Sequence, residues 1–396
     1  MASPRGERLS IVLAGRRNVG KSSLINALAG QSVAIVSEIP GTTTDPVRKS
    51  YELLPLGPVT FIDTAGIDDQ GEIGSLRVAR TEKTLKNADL VLIVAEADRW
   101  EEEEELRRKL KQEGISYLIV MNKSDLGVPS METAEKIGEK FVSVSSVSDT
   151  GIDELKLKII ETAGRVREKS ILRDLVEAGE TVVLVVPIDL SAPRGRLILP
   201  QVQVIRDILD NDAIVIVTKE RDLHKCLSGL NSKPSLVVTD SQAVLKVVKE
   251  LPADVRLTTF SILFARYKGE LGPLIRGARI IDELKDGDRV MIAEACSHHV
   301  QEDDIGRVKI PRWLTEYSGV SLKFETVSGL EFPPDISGFK LIIHCGGCMI
   351  TEHEMKNRIK TAQEAHVAIT NYGICISKVQ GVLERTAGIF SEFQLS

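Results

Sequence analysis

The chain alternates between short apolar-rich runs and longer stretches in which apolar and polar residues mix at helical spacing. The runs fall at 11–14, 90–95, 118–121, 181–187, 213–217, 235–239, 289–295, 340–343 and 366–370, and Phe61-Ile62 closes another. They are too short for helices and show little polar alternation, which is the pattern of strands covered on both faces. The mixed stretches at 23–28, 150–168, 201–209, near 222–227, at 241–250 and at 352–365 predict helices between them. Strand–helix alternation of this kind predicts an α/β fold with at least partly parallel sheets. A run of mixed charge at 165–174 reads as a linker. The expected domains are 1–168, 172–262 and 263–396. The acidic run 101–105 leads into 106–111, and a helix with a solvated acidic face is expected there.

At 396 residues the chain has room for about two or three domains, each with its own core. Its 42% hydrophobic and 27% charged residues are an ordinary soluble composition. A net charge of −6 argues against a nucleic-acid partner, which needs clustered basic surface. The apolar runs fall far short of the roughly 20 residues of a membrane span, and the N-terminus has no apolar signal core. A cytoplasmic protein with no membrane partner is expected. Five cysteines in so long a chain do not make a disulfide framework, so thiols available to metal are expected.

The candidate chemistry begins after the first run. Gly15-Arg16-Arg17-Asn18-Val19-Gly20-Lys21-Ser22 lies between a predicted strand and a predicted helix that opens at Ser23. That is the phosphate-binding loop in its required context: glycines let backbone N–H groups converge on phosphate, and the helix N-terminus adds a favourable dipole. Gly15, Asn18, Val19, Gly20, Lys21, Ser22 and Ser23 are assigned to the nucleotide, with Lys21 on the β- and γ-phosphates and Ser22 on Mg²⁺. Gly41-Thr42-Thr43-Thr44-Asp45 reads as a first switch, with Thr43 on Mg²⁺. Asp63-Thr64-Ala65-Gly66 opens a second, with Asp63 holding Mg²⁺ through water and the Gly66 N–H sensing the γ-phosphate. Lys21, Thr43, Asp63 and Gly66 form the expected catalytic set. Asn122-Lys123-Ser124-Asp125 follows the 118–121 strand. Asp125 would accept from guanine N1–H and N2–H₂, which adenine lacks, and so select GTP. Ser145-Ser146 completes the guanine-contacting set.

These motifs resemble the TrmE- and Era-like GTPases of the tRNA-modification and ribosome-assembly branch. In potassium-activated members, the position of Asn18 helps to hold K⁺, which can supply the charge otherwise given by an arginine finger. Ile67 follows Gly66 where Ras-like enzymes carry a water-orienting glutamine, so slow intrinsic hydrolysis is expected, with Glu72 as a substitute. The middle region holds no cluster of catalytic residue types. Cys226, near His224, reads as a bystander, and the region as a spacer or dimerisation unit.

Two segments near the end hold three of the five cysteines: Cys296-Ser297-His298 and His344-Cys345-Gly346-Gly347-Cys348. Each follows a predicted strand, and sites in doubly wound sheets form at the carboxyl ends of strands. The 345/348 spacing lets one loop present two thiolates, with Gly346-Gly347 permitting the turn. The residue types fit structural zinc. They also fit an iron–sulfur cluster with three thiolates and one replaceable ligand, and Cys345 with Cys348 alone would suit a redox dithiol.

With the GTPase motifs and the chemically silent middle region, this split motif resembles the HydF family, the maturation GTPases of [FeFe]-hydrogenase, over the whole chain. The resemblance implies a [4Fe–4S] cluster on Cys296, Cys345 and Cys348, with His298 or His344 as a possible fourth ligand and Glu302 and Asp303 close enough to compete. It implies a scaffold or carrier for the two-iron precursor of the hydrogenase active site. Two radical-SAM maturases and the apo-hydrogenase are the implied partners, and a homodimer through the middle domain is the implied assembly. The alternative is a ribosome-assembly or tRNA-modification GTPase with a structural zinc domain.

Overall fold

A computed structural model describes residues 8–30, 47–64, 81–82, 84–97, 99–138, 140–167, 170–172, 174–188, 197–295, 304–329, 332–333, 335–348 and 350–394. The chain forms two compact units, Met1–Glu168 and Lys169–Ser396. Among the described residues no helix is long and apolar enough to cross a membrane.

The first unit is built on a six-stranded sheet. Its strands are β1 Leu9–Ala14, β2 Val47–Leu53, β3 Gly57–Asp63, β4 Leu90–Glu96, β5 Tyr117–Asn122 and β6 Phe141–Ser143, in the order β2-β3-β1-β4-β5-β6. Only β2 and β3 pair antiparallel; every other neighbour is parallel. The unbroken apolar run of β1 has a direct cause. Ile11 and Leu13 face one core, with Leu24 and Leu28 of the helix Lys21–Ala29, while Val12 and Ala14 face a second, with Leu106 and Leu110 of the helix Glu101–Gln112. Burying each such Leu or Ile contributes about 1.5–3 kcal/mol over leaving it exposed. The expectation of a wholly solvated acidic face on Glu101–Gln112 is corrected: Glu103 is fully buried.

The second unit holds two four-stranded sheets, all parallel. One runs β10-β9-β7-β8, from β7 Thr181–Val185, β8 Ile214–Thr218, β9 Leu236–Thr239 and β10 Arg256–Thr259. The other runs β12-β11-β13-β14, from β11 Arg289–Glu294, β12 Lys323–Ser328, β13 Leu341–His344 and β14 Ala368–Asn371. A single apolar core joins them, from Leu172 and Leu184 through Leu263 and Ile275 to Ile342 and Phe390. The boundary expected between 262 and 263 falls inside the helix Phe260–Lys268, whose residues belong to that shared core. The next helix, Leu271–Arg279, lies against β14 so closely that a Cβ on Gly277 would stand 1.9 Å from the Ile369 carbonyl oxygen. Strands β2, β6, β10 and β12 have no counterpart among the sequence expectations.

Candidate functional site

The nucleotide loop leaves β1 at Ala14 and enters the helix Lys21–Ala29, whose amino end has no side-chain cap. Its N–H groups are therefore not taken by a capping side chain, the condition for anion binding. Gly15 has φ 153°, and a Cβ there would stand 2.1 Å from the Val94 carbonyl oxygen. Gly20 has φ 92°, and its Cβ would stand 2.3 Å from Asn122 Nδ2. Only glycine meets both constraints at these positions. Asn18 also adopts a positive φ, 65°. Lys21 is buried and folds across the loop, its Nζ donating to the carbonyls of Gly15 and Arg16 at 2.9 and 2.7 Å.

The base side is organised by Asn122 at the end of β5. Its side chain is buried, donates to the Val19 carbonyl at 2.9 Å and accepts from the N–H and hydroxyl of Ser146 at 3.2 and 3.0 Å. One amide thus ties the phosphate loop to the Ser145-Ser146 loop. Asp125 accepts from the Ser145 hydroxyl at 2.5 Å, and Ser145 Oγ accepts from the N–H groups of Val147 and Ser148 at 3.3 and 3.2 Å. Lys123, at φ 62°, pairs with Glu96. These contacts bring together Gly15 to Ser23, Asn122 to Asp125 and Ser145-Ser146.

Two of the three expected Mg²⁺ donors, Ser22 and Asp63, meet as well. The Ser22 hydroxyl donates to Asp63 Oδ2, while Asp63 Oδ1 is buried with no hydrogen-bond partner among the described residues. A buried carboxylate oxygen left unmatched calls for a cation or ordered water, so the donor set fits Mg²⁺. Thr43, Gly66 and Glu72 lie outside the described residues.

The second site is at the carboxyl ends of the β11–β14 sheet. Register places Glu294 beside Ser328, Ala293 beside His344, and His344 beside Asn371. Cys345 therefore leaves β13 between the ends of β11 and β14. Its N–H donates to the Ala293 carbonyl at 2.8 Å, and its Sγ accepts from the Ala295 N–H at 3.1 Å. Ala295 is the residue before Cys296 in the chain. Cys296, Ser297, His298, Glu302 and Asp303 lie outside the described residues. Gly347 has φ 63° and packs so tightly that a Cβ would stand 2.4 Å from Met355 Cε. Cys345 and Cys348 are both half-buried, whereas Cys375 is fully buried and burial pushes its thiol up to about 12. Burial also raises the Cys226 thiol. Among the described cysteines only Cys345 and Cys348 combine access with a glycine turn.

His344 is placed differently from a free ligand. It is fully buried; Nδ1 donates to the Cys345 carbonyl at 2.7 Å and Nε2 accepts from Arg358 Nη1 at 2.9 Å. Arginine has no acceptor, which sets the tautomer. Burial, with the nearby Arg358 charge, lowers the imidazole to about 4 and keeps it neutral.

Three contributors escaped sequence reasoning. Lys268, buried at the end of its helix, donates to the carbonyls of Gly347, Cys348 and Ile350 at 3.1, 3.5 and 3.0 Å and clamps the cysteine loop. Arg358 lies across the Phe332 ring at 5.3 Å and reaches His344. Glu294 is buried and accepts from Arg307 Nη2 and the Ser328 hydroxyl, each at 2.8 Å. A basic residue closing a helix, or a carboxylate closing a strand, carries no local signal that it will turn inward.

The residues present fit an iron–sulfur cluster. The thiols are accessible, one already accepts an N–H bond that favours thiolate, and the glycine turn spaces the pair.

Comparison with known proteins divides the chain in three. A model described as the Hydrogen maturase F dimerization domain matches residues 171–269, and one described as the Hydrogen maturase F tetramerization domain matches 273–389. A 50S ribosome-binding GTPase model matches 10–123. The tRNA modification GTPase MnmE of Aquifex aeolicus is 38% identical over 167 residues, 42% of this chain and 37% of that protein. MnmE of Methylococcus capsulatus is 42% identical over 160 residues, 40% of this chain and 35% of that protein. The chain thus spans little more than a third of the length of these relatives. The G domain of the T. maritima FeoB iron transporter is similar at 30% identity, covering 39% of this chain and 99% of its own, with a TM-score of 0.32.

Proposed function

The chain belongs to the hydrogen maturase F (HydF) family and is a GTPase of hydrogenase maturation, and from that premise we propose that it carries a [4Fe–4S] cluster on Cys296, Cys345 and Cys348 and assembles or delivers the two-iron precursor of the [FeFe]-hydrogenase active site. The observation that supports this reading is the Ala295 N–H bond to Cys345 Sγ, since Ala295 is the residue before Cys296 in the chain. When bound, the cluster supplies an iron with a replaceable ligand, to which cargo can bridge. The three cysteines would hold it, and the half-buried Cys345 and Cys348 leave access. With both ring nitrogens of His344 engaged, the fourth position falls to His298 or to an exchangeable ligand.

At the other site, Lys21 binds the β- and γ-phosphates; Ser22, Asp63 and Thr43 hold Mg²⁺; the Gly66 N–H senses the γ-phosphate; and Asn18 helps to hold K⁺. Asp125 reads guanine. The matched dimerization and tetramerization domains support an oligomer, and the proposed assembly goes beyond the expected dimer. The two radical-SAM maturases and the apo-hydrogenase are the proposed partners, met in the cytoplasm. Likeness to MnmE stops with the GTPase unit, which leaves the zinc alternative without support from the rest of the chain.

Purification without air tests the reading. About four irons per chain with matching sulfide and a brown colour are expected. Stoichiometric zinc with no visible absorbance would sink it.

A further inference from the structure

The hydroxyl of Tyr372 has no task in the reading above. Tyr372 follows β14 directly and opens the helix Tyr372–Val379. Because His344 and Asn371 are register partners in a parallel pair, Cys345 and Tyr372 leave adjacent strands side by side. The turn is fixed on both flanks. Asn371 caps the helix by accepting from the Ile374 N–H at 2.8 Å and donates to the Ser261 carbonyl at 2.9 Å. Gly373 packs so closely that a Cβ would stand 2.3 Å from Ser261 Cβ.

The backbone that carries the phenol is therefore fixed. A Cβ on Gly306 would stand 2.0 Å from its oxygen and 3.0 Å from Glu294 Oε1, so the hydroxyl lies over a bare glycine beside the Glu294 carboxylate. It is shielded from solvent, yet it has no hydrogen-bond partner among the described residues. A buried hydroxyl left unmatched is costly, and such an atom at a site calls for a partner supplied by a ligand. A tyrosine hydroxyl is protonated at neutral pH and so is a donor.

We propose that Tyr372 donates its hydroxyl hydrogen to a sulfur of the cluster at Cys345 and thereby raises the cluster's reduction potential. The inference rests on the cluster reading given above. A hydrogen bond to cluster sulfur stabilises the added negative charge of the reduced form, and such bonds are among the protein's means of setting potential. Tyr372→Phe removes one oxygen and keeps the ring, so packing against Gly306 is retained or relieved.

The test uses the full-length protein, reconstituted without air with iron and sulfide, as wild type and as Tyr372→Phe. Iron and sulfide content, the midpoint potential and the exchangeable-proton couplings of the reduced cluster by pulsed EPR are measured on each. Equal iron content, a more negative potential in the variant and the loss of one exchangeable coupling are expected. Equal iron content with coincident potentials and unchanged couplings would overturn the inference and leave the cluster reading standing. Loss of iron from the variant alone would make Tyr372 a residue that holds the loop and would likewise overturn it. A wild-type protein that takes up no iron and sulfide would instead remove the cluster reading.

Discussion

Glu103 Oε1 accepts from both the main-chain N–H and Nε of Arg16, at 3.2 and 3.0 Å, and Glu103 is wholly buried. Arg16 Nη2 then donates to the Arg99 carbonyl at 2.7 Å. The second residue of the phosphate loop is thus tied to the first turn of the helix Glu101–Gln112. Removing one partner of a buried ion pair strands the other and costs about 3–5 kcal/mol. Glu103→Ala is therefore expected to lower the unfolding free energy of the GTPase unit by an amount of that order and to weaken GTP binding. Glu103→Gln, which keeps an acceptor, should lose less of both. Denaturant unfolding and titration with a fluorescent GTP analogue check the order; equal losses in the two variants would remove the charge from the account.

Asn122 gives a second prediction. Its amide joins Val19 to Ser146, and no part of that contact needs nucleotide. In Asn122→Ala, the Val19 carbonyl and the Ser146 donors lose a buried partner, at about 1–3 kcal/mol for an unmatched group. The loss should appear in binding, roughly ten- to a hundredfold in GTP and GDP alike, because the amide shapes the loop and does not sense the γ-phosphate. Calorimetric titration of both nucleotides checks this, and a loss confined to GTP would contradict it.

How far the chain could be read follows from where each residue's partner lies. Strands β1, β4 and β7 are covered on both faces, so they carry the unbroken apolar runs 11–14, 90–95 and 182–185, and the runs announce themselves. Strand β12, at the sheet's edge, is mostly exposed or half-exposed along Lys323–Ser328 and carries no apolar signature. The phosphate loop, Asn122, Asp125 and the cysteine pair were legible because their chemistry sits in contiguous motifs. Glu103 is one glutamate within an acidic run, and only Arg16, distant in sequence, sets it apart. Lys268 and Tyr372 likewise depend on topology, since their neighbours at the cysteine loop lie about 80 and 30 residues away in the chain.

Acid should loosen the second unit at a definable place. Arg266 lies over the Phe390 ring at 5.2 Å, donates to Glu392 at 2.8 Å and pairs with Asp174. The Arg266 hydrogen bond holds the Asp174 carboxyl below its ordinary value. Burial pushes Glu392 up, but the Arg266 hydrogen bond and charge, a main-chain hydrogen bond and the Ser391 hydroxyl together outweigh it, and the net shift is downward. A depressed folded-state carboxyl adds stability that is fully present above its unfolded value, about 3.9 for Asp and 4.3 for Glu, and is lost as pH falls through the lower folded value. The melting temperature of the wild type should therefore fall as pH drops from about 5 toward 3. Arg266→Met should have a lower plateau at neutral pH and a shallower acid limb. Parallel acid limbs in the two proteins would show that this bridge is not what titrates.

The clamp at the cysteine loop yields the last prediction. Lys268 ends its helix by sending a buried ammonium to the carbonyls of Gly347, Cys348 and Ile350. The glycine turn between them, at φ 63°, packs against Met355. Lys268→Met keeps the length and the apolar stem while removing the donors. The freed carbonyls then seek water, and the loop opens toward solvent to supply it. In the protein without metal, alkylation of Cys348 should become several-fold faster in Lys268→Met, while Cys375, buried in the core, should stay protected in both proteins. Mass spectrometry after timed iodoacetamide treatment separates these thiols. A Cys348 rate unchanged by the substitution would mean that the turn holds its shape through Gly347 and Met355 alone. A rise at Cys375 as well would mean that the core, and not the loop, had opened.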